Sequence, residues 1–178
     1  MDRLLLMPCV IAGLLVSQPT AGQKQKAEAG WPDVFPAALT MYQQTFQAPV
    51  VEGDAKNPVY RQTALYDWTG NADRHLKVTV ARNAEFKKTY SEEAVQKSQP
   101  PGKKKEIGKY AAWEWKFERN DTKDTPPLHE RLVILLGDDR VVIIEESGLG
   151  PFGGDIRNLL EKMDLERISK ALDKAPSR

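Results

Sequence analysis

The sequence contains very little cysteine and histidine, and this scarcity excludes several kinds of chemistry. The one cysteine, Cys9, lies in the first apolar stretch, and the two histidines, His75 and His129, are far apart in the chain. Thiol catalysis, iron–sulfur clusters and cysteine-ligated zinc therefore have no ligands in the rest of the sequence. The 26 basic and 25 acidic residues nearly cancel, so there is no general electrostatic attraction to nucleic acid. We expect no metal, no cofactor and no nucleic-acid partner.

No apolar run in the sequence is long enough to cross a membrane. The first apolar stretch, residues 4–16, follows Arg3 and is shorter than the about 20 residues that a membrane-spanning helix needs. A basic start, a short apolar stretch and small residues before Gln23 are typical of a cleavable export signal. Membrane contact is then transient, during export, and the protein is located in the periplasm or outside the cell. The predicted segments are a signal peptide at 1–22, a flexible tether at 23–32 and a single domain at 33–175.

Alternation of apolar and polar residues predicts antiparallel strands in the domain. One hairpin is indicated by residues 59–68 and 76–80, and a second by residues 132–136 and 141–144. The second hairpin is apolar on both faces, which predicts a central position in the sheet. The clearest single strand is 107–117, which places five apolar side chains on one face: Ile107, Ala111, Trp113, Trp115 and Phe117.

Helical spacing is present in three segments. Residues 36–47 favour a helix because apolar residues recur every three or four positions, although their β-branched and aromatic residues leave a strand open. A modest amphipathic helix is indicated for 86–94. From Asp155 onward, two apolar stripes lie on nearly opposite sides, which predicts a break at Asp164, where an aspartate can cap a new helix. The predicted fold class is α+β, an antiparallel sheet of about five strands with helices packed on one face.

A glycine pattern, Gly148-x-Gly150-x-x-Gly153, lies between a predicted strand and a predicted helix, as it does in dinucleotide-binding loops. That loop works within a parallel unit whose next strand contacts the ribose, and here only a helical segment follows. Ser147 precedes the pattern but lacks the flanking glycines of a nucleophile elbow. We interpret these glycines as a connection between strand and helix.

Two tryptophans, Trp113 and Trp115, are the candidate ligand-binding residues. They lie two positions apart on one predicted strand face, where aromatic rings can stack on a ligand. The apolar neighbours on the same face favour core packing instead.

No catalytic constellation is apparent, so whether the protein is an enzyme stays open. We expect an exported, non-catalytic module that binds a small molecule or a protein of unknown identity. One alternative is a small hydrolase with a site assembled around His75 or His129 beside a carboxylate. Another is a structural accessory subunit of an envelope complex, docking through an exposed apolar stripe of Leu165, Ile168 and Leu172.

Overall fold

The structure is a computed structural model that describes residues 34–53, 58–70, 74–117, 128–148 and 155–174. It contains eight strands: β1 (Tyr42–Phe46), β2 (Val50–Gly53), β3 (Pro58–Trp68), β4 (His75–Arg82), β5 (Lys103–Ile107), β6 (Tyr110–Lys116), β7 (Leu128–Leu135) and β8 (Arg140–Ser147). It also contains four short helices: α1 (Phe86–Thr89), α2 (Glu92–Gln96), α3 (Asp155–Leu160) and α4 (Leu165–Asp173). The predicted signal peptide, tether and Cys9 lie outside the described residues. Within the described ranges, no helix has the length and apolar character needed to cross a bilayer.

All eight strands belong to one antiparallel sheet with β8 at its centre. The strands follow the order β1, β3, β4, β8, β7, β6, β5, and β2 pairs with the part of β3 that β1 leaves unpaired. The hairpins β3–β4 and β7–β8 confirm the two that the sequence predicts, and the central position of the second is also confirmed. The sheet is larger than the predicted five strands because β1, β2 and β5 are not apparent as separate strands in the sequence pattern.

The segment 107–117 is not one strand, which corrects the sequence prediction. A two-residue turn at Gly108 and Lys109 joins β5 to β6, and Ile107 pairs with Tyr110. Gly108 has a φ of 60°, a backbone conformation that favours glycine. Glycine is common at the first central position of two-residue hairpin turns. The turn reverses the side-chain alternation, so Ile107 lies on the opposite face of the sheet from Trp113.

The preference for a helix over residues 36–47 is wrong, and the strand alternative is confirmed for Tyr42–Phe46. This segment pairs along Ala64–Trp68 of β3 and extends the sheet there, which suits its aromatic and β-branched residues. Leu39 is buried as the helical pattern expected, but Phe46, on the same predicted stripe, is 50% exposed.

Helices cover both faces of the sheet, which corrects the prediction that they pack on one. On the first face, called the α3/α4 face, Val78 packs in one cluster with Leu159 of α3. On the second, called the α1/α2 face, Trp113 and Trp115 pack in one cluster with Val95 of α2. Successive residues of a strand point to opposite faces, so the central strands, apolar on both, need cover on both.

The predicted break in the C-terminal helix is confirmed. The Asp164 side chain accepts a hydrogen bond from the backbone N–H of Arg167 at 2.9 Å and caps α4. Because α4 starts anew at this break, its apolar side chains face the sheet. Ile168 and Leu172 are buried, and Leu165 packs against the same core. The exposed stripe that motivated the accessory-subunit hypothesis is therefore part of the core.

Candidate binding groove

The two sequence-predicted ligand-binding residues, Trp113 and Trp115, lie beneath the α1–α2 segment and are 4% and 7% exposed. The Trp113 indole N–H donates to the Tyr90 carbonyl oxygen at 3.1 Å, and the Trp115 indole N–H donates to Ser98 Oγ at 2.9 Å. Gly102 follows this segment, and a Cβ added there would lie 2.8 Å from a Trp115 ring carbon. The chain therefore packs tightly against this ring. A ligand that stacks on these tryptophans needs the segment to move. Their role in binding stays a prediction.

The two histidines lie in different surroundings. On neighbouring strands, His75 Nδ1 and Asp67 Oδ1 are 2.6 Å apart, with both side chains partly exposed. The His129 imidazole contacts the Gly148 carbonyl oxygen through Nε2. Ser147 lies opposite His75 in the sheet register, but no hydrogen bond joins their side chains among the residues that the structure describes.

A groove lies on the α3/α4 face of the sheet. It lies between the sheet strands β5, β6 and β7 and the start of α3, with a volume of about 660 Å³. Known small-molecule sites fall in this range, about 300 to 1,000 Å³. Three apolar side chains contribute to its walls: Ile107, Leu132 and Ile156.

The sheet register determines which charged groups share this groove. Lys116 of β6 pairs with Glu130 of β7, and Glu130 in turn pairs with Glu146 of β8. Directly paired residues point to the same face, so these three side chains form a row across the sheet. Beside the row, Glu114 lies on β6 and Arg157 on α3.

Carboxylates are deeper than cations in this groove. Glu114 and Glu130 are half-buried and Glu146 is 1% exposed, whereas Lys116 and Arg157 are exposed. At the β5 edge, the Lys105 Nζ lies 3.4 Å from Glu114 Oε2, and the lysine side chain is the more exposed partner. Glu106 also borders the groove, but strand alternation directs its side chain to the other face of β5. The groove therefore has an acidic interior and a basic rim.

Glu130 is the half-buried carboxylate at the centre of this arrangement. Burial raises the pKa of its carboxyl group; the positive charge of Lys116 opposes this shift and the negative charge of Glu114 adds to it. Among the described residues, Glu130, Lys116 and Arg157 form no ion pair within 4 Å. Lys116 and Arg157 nevertheless act on Glu130 through their charge, since both oppose the rise in its pKa.

A buried polar network adjoins the groove beyond Glu146. Burial raises the pKa of the Glu146 carboxyl, and its hydrogen bond from Arg74 opposes this shift. The Arg74 guanidinium donates to Glu146 Oε1 at 3.3 Å and also to Asp155 Oδ2. The Tyr42 hydroxyl donates to Asp155 Oδ2 at 2.7 Å, and burial raises the pKa of this phenol. Through Arg74, the residue before β4, the network joins β1 and β8 to α3, the helix that forms one wall of the groove.

We expect Glu130→Gln to make the protein more stable at neutral pH and to leave it unchanged in acid. A carboxyl group whose pKa is raised in the folded state favours folding below its unfolded-state pKa, and this contribution is lost as pH rises through the folded-state value. The variant cannot ionise at this position and avoids that loss. Thermal unfolding at pH 4 and pH 7 measures the difference, with the exposed Glu161→Gln as control. Equal melting temperatures for wild type and Glu130→Gln at both pH values would contradict the burial of this charge.

Comparisons with protein-family models, curated protein sequences and solved structures find no match to this chain. The described residues also contain no group of three or more His, Cys, Asp or Glu side chains placed to hold a metal ion. The geometry and charge of the groove are therefore the basis for a functional proposal.

The groove residues Lys116, Glu130 and Arg157 have no signal in the sequence that marks them as a set. They come from three separate elements, and their proximity depends on the strand register and on the placement of α3. The one usable hint is the polar residue at Glu130, which interrupts the apolar face of a strand that is otherwise buried at Leu132 and Ile134.

Proposed function

We propose that the protein is an exported, non-catalytic binding module that takes a small ligand in the groove between β5–β7 and α3. The observation that carries this proposal is the 660 Å³ concavity whose walls combine apolar side chains with three charged groups, Lys116, Glu130 and Arg157, that form no ion pair within 4 Å among the described residues. Small-molecule sites in proteins typically have this composition, an apolar lining with a few converging polar groups. The raised pKa values of Glu130 and Glu146 support the choice of site, because such shifts cluster at functional sites.

The groove wall does not offer an apparent nucleophile. The residues that line it are lysine, arginine, glutamate, leucine and isoleucine, with no serine, threonine, cysteine or histidine among the described ones. A carboxylate or lysine can act in catalysis, but Glu114 is paired with Lys105, and Lys116 is exposed. Binding without turnover is the simpler function for this arrangement.

Native mass spectrometry of the protein, isolated gently from the cells that produce it, tests the proposal. We expect a polypeptide that begins at Gln23 and carries one small organic molecule. The variant Arg157→Glu, which reverses an exposed charge at the rim, should lose the added mass, and Lys88→Glu on α1 should retain it. A bare polypeptide in all three samples, with no other bound component, would contradict the binding function. A start before Gln23 would contradict the predicted cleavage independently of the ligand.

A second candidate, a small hydrolase centred on His75, is favoured by one observation. The 2.6 Å separation of His75 Nδ1 and Asp67 Oδ1 resembles the pairing that orients a general base. Two features place this candidate second. The pair is partly exposed on the sheet, and Ser147, the hydroxyl opposite His75, forms no hydrogen bond with the imidazole among the described residues.

Hydrolysis of p-nitrophenyl acetate distinguishes the two functions. The binding module predicts that wild type and His75→Ala have the same rate, close to that of an unrelated protein of similar charge. The hydrolase candidate predicts a wild-type rate that falls about 100-fold or more in His75→Ala. Asp67→Asn should then also be impaired, because the histidine loses the carboxylate that orients it.

A further inference from the structure

The groove separates its charges by depth, and this separation indicates what kind of ligand it takes. Its half-buried carboxylates on the α3/α4 face, Glu114 and Glu130, and the adjoining Glu146 are more buried than its cations. The cations are Lys105, Lys116 and Arg157. The exposed cations, on long flexible side chains, stay hydrated at the rim, as lysine and arginine commonly do. A ligand that enters this groove meets positive charge first and negative charge deeper inside.

The carboxylates on this face differ in how closely a cation approaches them. Arg74 is the cation shared by Glu146 and Asp155 in the network beyond the groove, and Glu130 lies next to Glu146 in the register. Glu130 forms no ion pair within 4 Å among the described residues, and its ionised form is disfavoured by burial. A positively charged ligand group beside Glu130 would relieve this cost, since an opposite charge stabilises a buried carboxylate.

The rim of the groove is positively charged. Lys116 and Arg157 approach the groove from β6 and α3 and form no ion pair within 4 Å in the part of the chain that the structure describes. A carboxylate held between them would accept charge-assisted hydrogen bonds from both sides. Leu132, two residues from Glu130 on β7, and Ile156, next to Arg157 on α3, also line the groove and offer an apolar surface suited to an aliphatic spacer.

We propose that the ligand is a small zwitterion, in which an ammonium group near Glu130 and a carboxylate near Lys116 and Arg157 are joined by an aliphatic spacer. This inference rests on the proposed binding function and specifies the ligand of that same site. A simple anion would leave the half-buried Glu130 without an ion-pair partner. A simple cation would have to pass the rim lysines and arginine without any compensating contact there.

Isothermal titration calorimetry with three matched probes tests the inference: 6-aminohexanoate, hexanoate and hexylamine. We expect 6-aminohexanoate to bind the wild-type chain about tenfold more tightly than either singly charged probe, because each charged end adds hydrogen bonds to an ionised partner. Glu130→Gln should reduce the affinity for 6-aminohexanoate to the affinity that the wild-type chain has for hexanoate. The double variant Lys116→Gln/Arg157→Gln should reduce it to that for hexylamine.

The control variant Lys88→Gln, on α1 at the other face, should bind as wild type does. Thermal unfolding of every variant establishes that it is folded. Three results would overturn the zwitterion proposal: equal affinities for 6-aminohexanoate and hexanoate, a higher affinity for hexylamine than for 6-aminohexanoate, or no binding of any probe. The mass-spectrometric result decides the binding function separately, because it depends on the molecule acquired in the cell and not on these probes.

Discussion

Trp115→Ala is expected to lower the free energy of unfolding by about 3 to 5 kcal/mol, the usual cost of truncating a large buried aromatic residue. Trp115 is 7% exposed and packs on the α1/α2 face with Val95. Its indole N–H donates to Ser98 Oγ, which itself donates to the Val95 carbonyl oxygen, so the truncation leaves a cavity and removes one hydrogen bond. Urea unfolding followed by circular dichroism measures the change.

Phe46→Ala is the matched control for this prediction. Phe46 is also aromatic and also lies in a strand, but it is 50% exposed. We expect its truncation to cost about 1 kcal/mol or less. An unchanged free energy of unfolding for Trp115→Ala would show that the ring does not contribute to the core, and the ligand-stacking prediction for Trp113 and Trp115 would then gain support.

Arg74→Met is expected to destabilise the protein by about 3 to 5 kcal/mol at pH 7, because it removes one partner of a buried ion pair. Glu146 is 1% exposed and Arg74 is 12% exposed, so neither charge is well solvated in the folded protein. Without the guanidinium, Glu146 and Asp155 keep two negative charges near each other and lose the cation between them.

The loss should shrink as pH falls. Removing Arg74 raises the pKa of Glu146 further, and protonation of the carboxyl group removes the uncompensated charge. Unfolding measured at pH 4 and pH 7 tests this dependence, and the exposed Arg61→Met on β3 serves as control. A loss of the same size at both pH values would mean that packing of the arginine side chain, and not its charge, stabilises this network.

Local signals in the sequence predict part of this fold. The two apolar stripes after Asp155 predict the break at Asp164, because a capped helix start depends on a few adjacent residues. The hairpins β3–β4 and β7–β8 follow from alternation along each strand. The turn at Gly108 is missed because Ile107 and Ala111, on either side of it, fit one alternating pattern, and alternation alone does not show that the chain has reversed.

The choice between helix and strand at Tyr42–Phe46 depends on an element that the local sequence does not contain. Its apolar spacing suits both structures, and pairing with β3 decides the outcome. The groove is hidden for the same reason. Lys116, Glu130 and Glu146 form a row only because β6, β7 and β8 pair in a particular register. Their sequence positions give no indication that they are neighbours.

The most direct test of the binding function is to locate the ligand on the protein. The ¹⁵N-labelled chain is titrated with the small-molecule extract of the cells that produce it, and amide chemical shifts are followed by NMR. The groove predicts that the largest shifts fall in β5, β6, β7 and the start of α3, including Lys116, Glu130 and Arg157. Shifts confined to the strands that carry Asp67 and His75, or a spectrum that the extract leaves unchanged, would contradict it.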